Sequence, residues 1–174
     1  MATRVTLMRG QHPSRSKNRG KREVAGFSLI ELLIVVAIIL IIAAIAIPNY
    51  MRSRMVANES ATVQNMRNIM TAEVIYSTTY GLGYSQTLAD MGGGGGTPTA
   101  AGLIDDVLAT GTKSGFTYTY VPTLPDPFAR PQGFTLNADP LNFGNTGQRY
   151  FYVDQTGVIR QSFTAPATLT DTPI

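Results

Sequence analysis

The sequence has no cysteine, and its only histidine is His12. Without thiols, no disulfide can staple the C-terminal region, which must be held by packing or by neighbouring chains. Past residue 26 there is neither Cys nor His. That removes thiol nucleophiles, Ser-His nucleophilic sites and the usual zinc sites. No catalytic residue, metal site or cofactor is assigned, and an enzyme is not expected. Charge is unevenly spread. The formal net charge of +3 hides a leader, residues 1–26, holding Arg4, Arg9, Arg15, Lys17, Arg19, Lys21 and Arg22 against one acid, Glu23. Beyond Gly26, seven basic side chains face ten acidic ones, so the argument from a basic chain to a nucleic-acid partner falls away. The 174 residues suit one modest domain beside a membrane segment.

What is abundant is apolar side chain in one place. From Phe27 to Ile47 every residue is apolar except Ser28 and Glu31. As a helix this run is long enough to cross about 30 Å of hydrocarbon. Gly26 precedes it, Pro48 closes it, and Glu31 sits at its fifth position. A lone carboxylate inside a bilayer costs about 2.5–3.5 kcal/mol on insertion scales, so Glu31 needs a reason. The basic leader would stay cytoplasmic and send residues 48–174 across the membrane, with only Arg52 and Arg54 opposing that bias nearby. An ordinary signal peptide cut after Ala44-Ile45-Ala46 is the competing reading. It leaves Glu31 unexplained and places Pro48 one residue past the new terminus.

Gly26-Phe27-Ser28-Leu29-Ile30-Glu31-Leu32, with Pro48 and Tyr50 beyond, resembles the cleavage and methylation signature of type IV pilins and pseudopilins. The resemblance implies removal of leader 1–26 by a prepilin peptidase/methyltransferase, which cuts between Gly26 and Phe27 and N-methylates Phe27. It also implies that an inner-membrane assembly platform and its ATPase draw identical subunits from the membrane into a helical filament. Phe27, Glu31 and Pro48 are then the assembly residues. The partner of Glu31 is expected to be the Phe27 amine of a neighbouring subunit; a bond across its own first turn, or a carboxylate merely stabilised by the helix dipole, are the simpler alternatives. The leader is longer than is usual for pilins whose mature chain starts with Phe. The absence of cysteine also departs from the many pilins that close a C-terminal loop with a disulfide.

The expected fold is α+β: one long helix over residues 27–79, then a loop and a four-stranded antiparallel sheet over residues 80–174. The helix is hydrophobic to about residue 48 and amphipathic after it. Pro48 removes a hydrogen bond and predicts a kink or local melting near Ala44. In the second half Val56, Val63, Met66, Met70 and Val74 recur at helical spacing and are expected to face the core, with Glu59 on another face. Residues 80–115 contain ten glycines, including the run Gly92–Gly96, and read as a surface loop corresponding to the variable pilin loop. That run is not a phosphate cradle, because no Lys-Ser/Thr follows it. A short helix is expected over Thr99–Ala109, with Leu103, Ile104, Val107 and Leu108 inward.

Strands are expected at Phe116–Val121, Phe134–Ala138, Arg149–Asp154 and Val158–Ser162, with a tight turn at Asp154–Gly157. Asp126, Asp139 and Asp154 lie near strand ends. They read as turn caps rather than the calcium ligands that some major pseudopilins carry. Thr164 to Ile174 reads as a mobile or subunit-docked tail. A type IV pilus subunit, inner-membrane as precursor and cell-surface when assembled, is the favoured function. A major pseudopilin of a type II secretion system, periplasmic when assembled, is the alternative. A membrane-anchored enzyme is the third, without catalytic residues to support it.

Overall fold

A computed structural model describes residues 26–174, which divide into two compact units between Leu40 and Ile41. The leader, with His12 and its basic cluster, lies outside the described residues apart from Gly26. The first unit is the start of helix α1 (Leu29–Tyr80). Ser28 stands at the N-cap, and the first i→i−4 bond runs from the Leu32 amide to the Ser28 carbonyl at 3.2 Å. Its large apolar side chains are exposed, from Leu29 at 77 % to Leu40 at 63 %. This is the pattern of a helix whose solvent is not water.

In the second unit α1 continues without a break through Pro48, and Ala44 is helical. The expected local melting does not occur. One proline deletes one bond, and the turns on either side keep theirs. The Asn49 side-chain amide also donates to the Ile45 carbonyl at 3.2 Å, and the Ser53 hydroxyl to the Asn49 carbonyl at 3.0 Å. Past Pro48 the first buried helix residue is Met55. Met55, Glu59, Thr62, Met66, Ile69, Glu73 and Tyr76 are buried at alternating spacings of four and three, the stripe that one face of an α-helix presents.

The expected core face is therefore rotated. Met66 is in the core, but Val56 and Val74 are 60 % and 57 % exposed, and Val63 and Met70 are only half-buried. Two carboxylates, Glu59 and Glu73, occupy places that an apolar count assigns to solvent.

Against this face lies a sheet of six strands in sequential antiparallel order. They are β1 (Thr112–Lys113), β2 (Phe116–Pro125), β3 (Pro131–Pro140), β4 (Tyr150–Asp154), β5 (Arg160–Ser162) and β6 (Thr172–Pro173). The α+β class stands, and β2 to β5 are the four expected strands. Two-residue β1 and β6 are the additions, too short to show a period of two. Register pairs Phe116 with Pro140, Ala138 with Phe151 and Tyr150 with Ser162. Strand β2 runs through Pro122 and Pro125 because past Thr117 only β3 pairs with it, so alternate amide positions need no partner. Phe116, Leu136, Phe151 and Val153 are fully buried with Met66 and Ile69.

The segment between helix and sheet is more fastened than its glycines suggest. Helix α2 (Leu88–Met91) starts with a capping box in which Thr87 and Asp90 bond reciprocally, and it buries Leu88 and Met91. Helix α3 is only Asp106–Ala109, capped by Asp105; Leu108 is buried but Val107 points outward at 58 % exposure. Gly93–Gly96 is its longest run that is both irregular and exposed. The tail is likewise fixed. Ala167 is buried, its carbonyl accepts from the Asn137 amide group at 2.8 Å, and the Ile174 amide donates to the Ile159 carbonyl at 3.1 Å. The tail, expected to be mobile or docked on a neighbouring subunit, ends in β6 at the edge of this chain's own sheet. Substituting Ile69→Ala should cost about 2–5 kcal/mol, whereas Val74→Ala should stay within about 0.5 kcal/mol. Urea unfolding of the two variants measures this, and equal losses would mean the helix is turned differently.

Candidate functional site

Gly26, Phe27 and Ser28 precede the first helical residue, and Phe27 is 75 % exposed. A Cβ built on Gly26 meets nothing within 4 Å. The Gly26–Phe27 bond therefore lies in a non-helical stretch where backbone can enter an extended cleft. Three residues into α1, Glu31 turns its side chain back, and its Oε2 accepts from the Ser28 amide at 2.9 Å. This is half of the reciprocal S-x-x-E arrangement, with Ser28 at the N-cap and Glu31 at N3. The carboxylate satisfies one of the four orphan amides of the helix start and also lies in its positive field. Gly26, Phe27 and Glu31 thus lie within six consecutive residues at the head of α1. Pro48 belongs to the other unit and is not brought to them.

In the second unit, two buried carboxylates hold helix to sheet, and the sequence reading missed both. Glu59 accepts from the Gln148 amide at 2.7 Å and from Arg149 Nε at 2.8 Å, and Arg149 also reaches Gln161 at 2.9 Å. Glu73 is wholly buried. Its two oxygens accept from the Ser85 amide at 2.9 Å and the Ser85 hydroxyl at 2.6 Å, while the Tyr120 hydroxyl donates to the Ser85 carbonyl at 2.9 Å. The signal available in the sequence was the four–three spacing of these acids with Met55, Met66, Ile69 and Tyr76. Burial raises the Glu73 carboxyl above the usual range, opposed by the Ser85 bonds and aided by nearby Asp90. Burial and the Glu73 charge also raise Tyr120.

The three strand-end aspartates divide. Asp126 accepts from the Phe128 and Arg130 amides, each at 2.9 Å, and pairs with the Arg130 guanidinium. Asp154 takes the Thr156 amide at 2.9 Å in the turn that Gly157 closes at φ +83°. Both are turn caps, as expected. Asp139 is half-buried and raised by burial, with no turn to cap.

Residues 21–47 match the family described as the prokaryotic N-terminal methylation motif. The chain is 50 % identical over 48 residues to the type IV major pilin protein PilA of Myxococcus xanthus, 28 % of this chain and 22 % of that protein. It is 42 % identical over 55 residues to the type IV wide pilus major component PilA4 of Thermus thermophilus, 32 % of this chain and 42 % of that one. These matches liken the N-terminal segment to that of type IV pilins. The chain thus spans less than half the length of either relative, and no solved structure matches it. Pilin likeness therefore attaches to the motif and the apolar helix that Gly26, Phe27 and Glu31 begin.

Glu73 gives a pH test of the domain behind that segment. Because its folded pKa is raised, the folded chain holds the proton more tightly than the unfolded chain. Its stabilising contribution is complete below the ordinary carboxylate pKa and is lost as pH rises through the raised folded value. Glu73→Gln removes that loss, so the stability of the variant relative to the native chain should increase from acid to neutral pH. Urea midpoints across that range measure it; a constant difference would show that Glu73 does not titrate between the two states.

Proposed function

We propose that this chain is a structural subunit of a type IV pilus, made as an inner-membrane precursor and assembled at the cell surface. The observation that carries the reading is the methylation motif at the head of an apolar helix whose large side chains are exposed all round. Such a helix cannot rest in water. It has lipid as one partner and copies of itself as the other, so exchanging the first for the second assembles a filament without adding exposed apolar surface. The exposed Val56 and Val74, with half-buried Val63 and Met70, carry an apolar stripe past Pro48 along the flank of the buried face. That stripe extends the surface available to neighbouring helices. Both curated relatives are named as major pilus components, which favours the pilus over a secretion pseudopilus.

In this reading a prepilin peptidase cuts between Gly26 and Phe27 and methylates the new amine. An inner-membrane platform and its ATPase then feed subunits into the filament. Intact-mass analysis and N-terminal sequencing of the assembled protein should find methyl-Phe27 as the first residue. Electron microscopy of sheared fibres, with peptide mapping, should find this chain in them. A start at Ile47, or a retained leader, overturns the reading.

Glu31 is the assembly residue. In the uncut chain its carboxylate is occupied by the Ser28 amide. Cleavage supplies a stronger partner, the Phe27 amine of a neighbouring subunit, because a charge-assisted bond exceeds one to a neutral amide. Burying Glu31 among helices without such a partner would cost about 3–5 kcal/mol, whereas its capping role is worth about 0.3–1 kcal/mol. Glu31→Leu should therefore leave insertion and cleavage intact and reduce fibres sharply. Wild-type fibre numbers from a stably expressed variant would leave only the capping role.

A further inference from the structure

The sheet has one end turned toward the residues just past Pro48, fixed by three sets of bonds at successive heights on α1. Lowest are Asn58, which donates to the Thr146 carbonyl at 3.0 Å, and Glu59 with Gln148 and Arg149. Next is Asn65, donating to the Tyr118 hydroxyl at 3.0 Å, and highest is Glu73 with Ser85, to which Tyr120 also bonds. Strand β2 therefore climbs the helix from Phe116 to Tyr120 and beyond, and β3 descends to Pro140, opposite Phe116. Everything that follows Pro140 up to Tyr150 is a turn at the low end. Ser162 pairs with Tyr150, so Phe163 emerges at the same end.

The side chains there are unusual for a water-facing turn. Leu141, Phe143 and Phe163 are 56 %, 54 % and 59 % exposed, and Phe143 stacks on Tyr150 with ring centroids 5.5 Å apart. Below them on α1, Tyr50, Arg52 and Arg54 are exposed. The described acids nearest this end are Glu59, buried and paired with Arg149, and half-buried Asp139. Apolar groups and unpaired arginines thus share one end of a unit that otherwise carries an excess of acids. The high end also exposes Leu124 and Phe128, but there the arginine, Arg130, is paired with Asp126.

We propose that the low end, formed by Arg52, Arg54, Leu141, Phe143 and Phe163, docks on an anionic lipid headgroup layer while the chain is a membrane precursor. This rests on Phe27–Ile47 spanning the bilayer. If the hydrocarbon edge lies at Ile47, then Asn58 is about 16 Å above it along the helix. Headgroups fill roughly 5–7 Å of that distance, which leaves about 10 Å for the exposed side chains of the turn and of α1 to bridge. A span tilted by about 20° brings one side of the sheet closer still. Tyr50 falls at the depth where aromatic belts sit, and Arg52 and Arg54, with backbones about 7.5 and 10.5 Å above the hydrocarbon edge, have side chains long enough to reach back to lipid phosphates. Anionic phosphate also accounts for two arginines on the side of the span where positive charge is normally sparse. Docking of this kind would hold the sheet against the membrane until extraction.

The chain has no tryptophan, so single reporters can be introduced. Full-length chain carrying Phe143→Trp, Phe128→Trp or Ile39→Trp is reconstituted into phosphatidylcholine vesicles with and without phosphatidylglycerol, using brominated lipid as quencher. Phe143→Trp should be quenched several-fold more than Phe128→Trp when phosphatidylglycerol is present. That excess should disappear in phosphatidylcholine alone, in high salt, or when Arg52→Gln and Arg54→Gln are added. Strong quenching of Ile39→Trp with equal, weak quenching of the other two reporters would overturn the docking and leave the membrane span intact. Absence of quenching at Ile39→Trp would overturn both. A blue shift of Phe143→Trp that grows with the protein-to-lipid ratio, without quenching, would assign the surface to a second copy of the chain and overturn the lipid.

Discussion

Everything in the second unit depends on how α1 is turned about its own axis, and two buried carboxylates set that angle. Glu59 and Glu73 stand fourteen residues apart on the same stripe, each gripping a different part of the sheet unit. At Glu59, removing Arg149 strands a charge away from water, at about 3–5 kcal/mol; at Glu73, losing the Ser85 bonds leaves a buried carboxyl without hydrogen-bond partners. Packing alone would tolerate a rotated helix, since Val56, Val63, Met70 and Val74 offer a second apolar stripe. The carboxylates make the alternative registers costly. That is a specificity role more than a source of net stability, since desolvation offsets much of the attraction.

With the stripe that carries the two carboxylates turned inward, Val56 and Val74 on its flank are left exposed. A monomer would gain by burying them, and a subunit that must pack on copies of itself would not. The same division of labour appears at the N-terminus. Every large apolar side chain of the run is exposed, and the only carboxylate there is engaged by a backbone amide. Both halves of α1 therefore leave apolar surface unspent in the isolated chain. The sheet unit supplies the solvated face, with the acids at its turns acting as caps, as Asp126 and Asp154 do.

Loop and tail illustrate how a cysteine-free domain closes itself. Where a disulfide would tie the C-terminus, this chain uses a two-residue edge strand, the Asn137 bond to Ala167 and the Arg160 bond to the Asp171 carbonyl. The glycine-rich loop is similarly pinned at its base by Met91 and by the Gly93 amide donating to Asp106 at 2.8 Å. Each contact is small, and together they confine the longer exposed irregular runs of loop and tail to Gly93–Gly96 and to Phe163–Pro166 before the edge strand.

Local chemistry made much of this legible in advance. Twenty-one nearly uninterrupted apolar residues dictate a helix outside water, the Phe-Thr-Tyr-Thr-Tyr alternation dictates a strand, and Asp154 to Gly157 dictates a turn, because each needs only neighbours in sequence. The motif from Gly26 to Leu32 likewise carries its meaning in seven adjacent residues. What depended on tertiary structure was which of two stripes α1 buries, and that two prolines would lie inside β2. So did the fastening of the last ten residues, and the gathering of Leu141, Phe143 and Phe163 at one end of the sheet. These rest on partners far away in the chain. Arg149 lies ninety residues from Glu59, and no periodicity within the helix can announce that a charge will meet its counter-charge from the sheet.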